Sequence, residues 1–356
     1  MGLTAHLAWL ARRFDIAGRI TGIEPLRGGH INEAWRIELD DPPGSYLLQR
    51  LNPDVFPDAA SVMENIACVT GHLARKAVRV PALVPTSQGG AWIEDAGGSC
   101  WRMYTFITGS HVFEQTGSAR VAQSAARAFG AFIAALDDYR GTPLHTPLPG
   151  FHDTPARLAR LDSAARADAV GRLAGAEREV VSLLAQGMLA EEFAALAASA
   201  PRRIVHNDAK LSNVLLDDAT GEAVCVVDLD TVMPGCALHD FGDMVRSMTT
   251  TAAEDEADLL QVAVKYDLFE GVARGFLEGC GTLLTPEEKD GLLLAGRALT
   301  LEQAARFLTD YLEGDIYYRD TRGDQNMRRA RAQLRMFESL SHAGPDLAKI
   351  LEPLIR

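Results

Sequence analysis

Apolar and polar positions alternate through the first third of the chain and then give way to helical spacing. Ile20 to Leu26 and Glu33 to Leu39 read as short strands around Arg27-Gly28-Gly29-His30. Tyr46 to Leu51 is a third strand, after the turn Asp41-Pro42-Pro43-Gly44. Val62, Ile66, Val69 and Leu73 then recur along one helical face. The turn-rich stretch Pro85 to Gly90 leads into two more strands, Ala91 to Glu94 and Cys100 to Phe106. These elements form a five-strand, one-helix block, which we place at residues 1–104.

Residues 105–356 are predicted to be mostly helical. Gly117-Ser118 starts a helix carrying Val121, Ala125, Phe129, Phe132, Ile133 and Leu136. Residues 153–198 are alanine-rich and helically patterned, and one β interruption runs from Ile204 to Asp230. Thr285-Pro286-Glu287-Glu288 combines a cap, a proline at the first position and acids in the first turn. That helix is predicted to run towards Tyr311, and another to cover Asp324 to Ser341. A strand-rich first lobe followed by a helical second lobe is an α+β arrangement.

Charge and cysteines narrow the function classes. Lys and Arg number 35 against 48 Asp and Glu, a net charge of −13. Such a chain has no bulk attraction for nucleic acid or for an anionic membrane, and it must bind any polyphosphate locally. No stretch reaches the apolar length of a membrane span, and the N-terminus does not read as a secretory signal. The five cysteines form no CxxC pair, which fits a reducing, cytoplasmic setting better than a zinc site or a disulfide framework.

The strongest chemical signal is His206-Asn207-Asp208-Ala209-Lys210-Leu211-Ser212-Asn213 before an apolar strand. The turn Asp217-Asp218-Ala219-Thr220-Gly221 follows, and then Ala223-Val224-Cys225-Val226-Val227-Asp228-Leu229-Asp230. Two strands flanking a hairpin turn bring their outer ends together, so Asp208, Lys210, Asn213 and Asp228 become neighbours. That set suits phosphoryl transfer. Asp208 can accept a hydroxyl proton, Asn213 and Asp228 offer hard oxygens for Mg²⁺, and Lys210 can meet a transferring phosphate. The D-x-x-x-x-N spacing, with His two residues before the Asp, is that of a kinase catalytic loop. Taken singly, these residues would be loop caps and a strand end; the ordered set carries the argument.

This segment resembles the aminoglycoside phosphotransferase and choline kinase superfamily. Longer runs resemble bacterial N-acetylhexosamine 1-kinases: Val227 to Gly235, His239 to Arg246, Gly28-Gly29-His30-Ile31-Asn32, Leu48 to Asn52, Val62 to Ile66 and Arg306 to Leu312. The resemblance implies a protein-kinase-like fold that uses ATP and Mg²⁺ to phosphorylate the anomeric O1 of an N-acetylhexosamine. Rival readings are a kinase of another small hydroxylated acceptor, or a nucleotide-binding pseudokinase. The intact Asp208, Asn213 and Asp228 argue against the pseudokinase.

Further site residues follow from placing these motifs. Gly28, Gly29 and Asn32 belong to a phosphate-covering loop whose N–H groups face the anion. The third strand has no lysine, so Gln49 or Arg50 must replace it; we favour Arg50, with Glu64 on the next helix as its partner. Alternation along the strand allows only one of the two to face the expected cleft. Backbone groups near Phe106 are candidates for binding the adenine. On the acceptor side, Glu302, Arg306 and Asp310 share one helical face, which without the resemblance reads as a solvated salt-bridge ladder. The resemblance places this helix beside the sugar, with Arg306 for hydroxyls and Tyr317 for the apolar face of the ring. His30, Glu33 and Asp230 complete the expected sugar contacts. The resemblance implies that Asp240 holds the catalytic loop by hydrogen bonds, and Asp243 and Arg246, one turn apart, are expected to pair with each other.

Overall fold

The computed structural model describes residues 2–26, 31–318 and 322–356. Gly28, Gly29 and His30, assigned above to phosphate and sugar, lie outside the described residues. The chain forms two compact units, one of residues 1–109 with 139–148 and the other of 110–138 with 149–356.

The first unit begins with α1 (Leu3–Ala11), whose Leu7, Leu10 and Ala11 are buried. Five antiparallel strands follow: β1 (Arg19–Pro25), β2 (Glu33–Asp40), β3 (Gly44–Arg50), β4 (Ile93–Glu94) and β5 (Cys100–Thr105), in the order β1-β2-β3-β5-β4. Alternation along the strands sends Trp35, Ile37, Leu48, Trp101 and Met103 into a core shared with α1. The helix α2 (Ala59–Arg75) is capped by Asp58, which accepts from the Ser61 N–H at 3.1 Å, and it buries the expected face of Val62, Ile66, Val69 and Leu73. Residues 139–148 belong to this unit through Asn65. Its side chain donates to His145 O at 3.0 Å and accepts from His145 N at 2.8 Å.

The second unit contains α3 (Ala119–Leu136), α4 (Thr154–Ala167), α5 (Glu177–Leu184), α6 (Gly187–Ser199), α7 (Ala237–Met248), α8 (Tyr266–Cys280), α9 (Pro286–Asp290), α10 (Leu292–Glu313) and α11 (Gln325–Ile355). Two small sheets interrupt the helices. One has the order β6 (Ser110–His111), β8 (Val214–Asp217), β9 (Ala223–Val226), and the other pairs β7 (Arg203–Val205) with β10 (Met233–Gly235).

Three expectations about these helices are corrected. The alanine-rich stretch is not continuous, because Asp168 (φ 38°) and Gly171 (φ 69°) take left-handed conformations that end α4. The helix from Thr285 does carry its capping box with Glu288, yet it stops at Gly291 and restarts as α10. The last helix runs past Ser341 to Ile355 despite Pro345 and Pro353. Leu340, Ala343, Leu347 and Leu351 continue its buried stripe, which outweighs the backbone bonds lost at proline.

The closest helix packing is between α3 and α8, where small residues let the backbones approach. A Cβ on Gly275 would lie 2.1 Å from Gln123 O. Gly344, on α11, has no atom within 4 Å of the same position. Gly275→Ala should therefore destabilise the chain by about 1–3 kcal/mol through overpacking. Gly344→Ala should stabilise it by up to about 1 kcal/mol through helix propensity. Thermal denaturation of the two variants checks the contrast, and equal melting temperatures would contradict this account of the α3–α8 packing.

Candidate active site

The catalytic loop leaves β7, turns through residues 206–213 and enters the β8–β9 hairpin. Val214 pairs with Val226, and Val227 N–H donates to Asn213 O at 2.9 Å. The hairpin thereby sets Asn213 beside the chain entering Asp228, as the sequence spacing requires. Asp208 Oδ2 lies 2.9 Å from Lys210 Nζ and accepts from Asn213 Nδ2, also at 2.9 Å. The same Asn213 nitrogen donates to the Asp208 carbonyl at 2.8 Å. Asp208, Lys210, Asn213 and Asp228 are thus brought together by one short stretch of chain.

Electrostatics fix the protonation of this group. Burial alone would raise the Asp208 carboxyl, but the Lys210 ammonium, helped by His206 and Arg246, holds it well below the usual carboxylate range. Lys210 mirrors it: burial works against its charge, and Asp208 and Asp228 hold its pKa above the ordinary lysine value. Both side chains remain about a quarter exposed, 26% and 27%, so the ionised carboxylate can be reached.

The donor set fits a divalent cation. With the Asn213 nitrogen committed to Asp208, its amide oxygen is the atom left to bind a metal. Asp228 follows in a left-handed conformation (φ 58°). Among the described residues there is no cluster of three or more His, Cys, Asp and Glu. Magnesium does not require one, since it binds through one or two carboxylate or amide oxygens, waters and substrate phosphates. Asp230, expected near the sugar, is buried in the turn after Asp228, at 2% exposure.

Around this centre the loop is held from three sides. Asp240, at the start of α7, accepts from His206 N at 2.8 Å and Asn207 N at 2.7 Å, as expected of it. Burial pushes its carboxyl up to about 6, against the pull of His206 and of those two N–H groups. The His206 ring lies edge-on to Phe129 of α3 at 5.2 Å and bonds Val227 O at 2.9 Å. Asp243 and Arg246 pair at 2.7 Å, and Arg246 also reaches Glu254 at 3.1 Å.

The face of α10 is not a salt-bridge ladder. Glu302, buried at 1% exposure, bonds His152 at 2.9 Å and Thr154 at 2.8 Å. Asp310 accepts from the Tyr317 and Tyr318 N–H groups at 2.7 and 2.8 Å, anchoring the bend after α10. Arg306 lies over aromatic rings instead: Phe151 at 4.9 Å, Tyr318 at 5.7 Å and Tyr317 at 5.9 Å. Among the described residues no carboxylate forms an ion pair with it. Burial opposes its charge, but Tyr318, Tyr317, Glu302 and Asp208 together raise its pKa. Arg157 is near enough for the two guanidiniums to repel: burial first, and then Arg306, lower the Arg157 pKa. Arg306 and Tyr317 are therefore neighbours, as the sequence suggested.

On the first unit the expected pairing of Arg50 with Glu64 does not form. Arg50 stands directly across β2 from Glu33 and pairs with it at 2.8 Å. The pleat puts Arg50 on the α1 face of the sheet, whereas Gln49 points to the α2 face. There Gln49 accepts from Arg102 at 3.0 Å, and Arg102 reaches Met63 of α2. Glu64 bonds His145 at 2.7 Å instead. Asn32 accepts from Asn52 N at 3.0 Å. The Phe106 N–H is taken by Ser45 O at 2.9 Å, and its ring lies under Arg36 at 4.5 Å. Arg102, almost fully buried, escaped the sequence reading because a lone arginine in an otherwise apolar strand gives no periodic signal. His152 and Arg157 escaped it because neither belongs to a spaced motif.

Three solved structures share this architecture. A microcompartment-associated aminopropanol kinase is 14% identical with a TM-score of 0.61, covering 97% of this chain and 98% of its own. A spectinomycin phosphotransferase in complex with ADP and spectinomycin is 11% identical with a TM-score of 0.63, covering 97% and 99%. A choline kinase from Cryptosporidium parvum is 11% identical with a TM-score of 0.57, covering 99% and 100%. The antiparallel-sheet unit and the helical unit are thus the α+β, kinase-like fold expected from the motifs. The phosphotransferase enzyme family matches residues 22–274, from β1 into α8 and through the whole catalytic loop and hairpin, and this chain is a member of that family.

Proposed function

We propose that this phosphotransferase is a sugar kinase that moves the γ-phosphoryl group of ATP to the anomeric O1 of an N-acetylhexosamine such as GlcNAc or GalNAc. The observation that carries the reading is Arg306, seated among Phe151, Tyr317 and Tyr318 with Arg157 nearby and no paired carboxylate among the described residues. Choline and aminoglycosides are cations, and a cationic acceptor would want carboxylates here rather than two guanidiniums. A neutral sugar suits the set: charged donors for its hydroxyls and aromatic faces for its ring. The sequence likeness to N-acetylhexosamine 1-kinases supports the finer choice of sugar. Structural relatives solved with ADP, or with AMP-PNP and Ca²⁺, support a nucleotide and a divalent cation as partners.

The chemistry follows from the loop. Asp208, kept ionised by Lys210, orients the acceptor hydroxyl and takes its proton as the new O–P bond forms and the bond to the ADP oxygen breaks. Lys210 sets its charge against the phosphoryl oxygens. A Mg²⁺ held by Asn213 and Asp228 would neutralise the phosphates and stabilise the charge that develops on transfer.

A coupled ADP-release screen over free sugars, amino sugars and amino alcohols tests the substrate class, and turnover confined to amino alcohols would overturn it. Asp208→Asn should keep nucleotide binding and lose at least about two orders of magnitude in kcat; near-wild-type turnover would remove Asp208 as the base. Asp228→Ala should abolish turnover and weaken Mg²⁺ binding measured by calorimetry in the presence of nucleotide; unchanged metal affinity would place the ligand elsewhere. Arg306→Ala should leave the ATP KM nearly fixed while kcat/KM for the sugar falls by ~2–4 kcal/mol. Unchanged kinetics for both substrates would return Arg306 to a packing role.

A further inference from the structure

The segment before α4 touches both the acceptor side and the catalytic loop. Phe151 lies under Arg306, and the next residue, His152, spans from Glu302 to the loop. His152 Nδ1 is 2.9 Å from Glu302 Oε1, and its Nε2 is 2.7 Å from the Asn207 carbonyl. Asn207 immediately precedes Asp208 and sits in a left-handed conformation (φ 63°), a region that asparagine enters more readily than most residues and that its hydrogen bonds here hold in place. Its backbone groups and its side-chain nitrogen are engaged. Its N–H donates to Asp240, its side-chain amide to Thr231 O at 3.0 Å, and its carbonyl faces His152.

We propose that His152, with Glu302 behind it, is a positioning residue for the phosphoryl transfer: its Nε2–H, donated to the Asn207 carbonyl, fixes the loop conformation that aims Asp208.

The donor requirement sets the charge of the ring. A carbonyl can only accept, so Nε2 must carry a proton. A neutral ring beside the Glu302 carboxylate would keep its single proton on Nδ1 and turn a lone pair towards Asn207. Only the imidazolium serves both partners. The surroundings favour it. From α10, Glu302 faces the ring, with Arg306 one turn further on. From α7 come Asp243 and His239, and Arg157 lies on α4. Burial disfavours the cation, but Glu302, the Asn207 carbonyl and Asp243 more than offset it, so the His152 pKa is raised. Glu302 is lowered in turn, chiefly by His152 acting against burial. His239, whose ring centre is 4.8 Å from that of His152, is pushed down to about 3 by burial and by the His152 charge, and it stays neutral. Neither His239 ring nitrogen has a hydrogen-bond partner among the described residues.

The sign of the pH effect follows. A group whose folded pKa is raised delivers its stabilisation in full below the unfolded value and loses it as pH rises through the folded value. Loop positioning by His152 should therefore be complete at and below the ordinary histidine range and fail on the alkaline side. Glu302 limits the pair only in acid, below the ordinary carboxylate range.

The inference rests on Asp208 acting as the base and not on the identity of the sugar. Kinetics are therefore measured on whichever acceptor the wild-type chain phosphorylates, slow transfer to water included. Failure of the sugar screen leaves this test intact. His152→Ala should lower kcat by about 10–100-fold with both KM values within a few-fold, the usual scale for misplacing a catalytic group by about an ångström. His152→Gln, whose amide keeps a donor and does not titrate, should recover most of that loss at neutral pH. It should also lack the alkaline fall in kcat that the wild type shows above the ordinary histidine range. Melting temperatures measured alongside identify the folded fraction. Should His152→Ala not fold, the His152→Gln profile decides alone: an alkaline limb identical to wild type overturns the proposal. So does a folded His152→Ala whose kcat is within twofold of wild type.

Discussion

Two consecutive backbone N–H groups, those of His206 and Asn207, point at one buried carboxylate, and the active centre depends on that geometry. Asp240 accepts both from the first turn of α7. Without it the loop between β7 and β8 would bury two unpaired donors, each costing about 1–3 kcal/mol. Asp240 also anchors the left-handed residue that precedes Asp208. Its own charge is expensive in that position, which is why burial lifts its carboxyl to about 6. The helix start contributes partial positive charge that eases the cost.

From this anchor the remaining roles divide by element. The hairpin joins its two outer ends, because antiparallel pairing of Val214 with Val226 forces Asn213 and Asp228 into proximity. The helix α10 contributes three residues from one face, and they do not work as a set. Glu302 is turned towards the loop and Asp310 towards its own C-terminal bend, while Arg306 between them is left to the aromatic rings. A charged periodicity that looks like a surface ladder is here three separate buried or half-buried tasks.

The catalytic hairpin was readable because its meaning is local. Strand, polar cluster, turn, strand and acid all lie within about thirty residues, and antiparallel geometry alone joins the ends. The sheet of the first unit was readable for the same reason, from alternation. What escaped was non-local. Nothing near His152 in sequence signals that it meets residue 302 on one side and residue 207 on the other. Local sequence favours Arg50 over Gln49 only because Arg50 carries the cation that a phosphate calls for. The face each presents depends on registers set by β2 and β5, and these place Arg50 opposite Glu33 and Gln49 opposite Arg102. The break at Gly291 is hidden in an otherwise continuous helical pattern, and the Leu196 side chain occupies the space a Cβ there would need.

Residues 139–148 lie after α3 in the chain yet belong to the first compact unit, held there by the paired bonds between Asn65 and His145. The polypeptide therefore passes from one unit to the other at 109/110, at 138/139 and again at 148/149. No single cut releases either unit with all of its own contacts. Recombination that exchanged the first unit as a contiguous cassette, by a junction after β5, would bring in an Asn65 and leave its partner segment in the other parent. Inheritance of this fold by crossover is thus biased towards junctions outside residues 65–145, and that stretch, with β4, β5 and α3, should travel through evolution as one block.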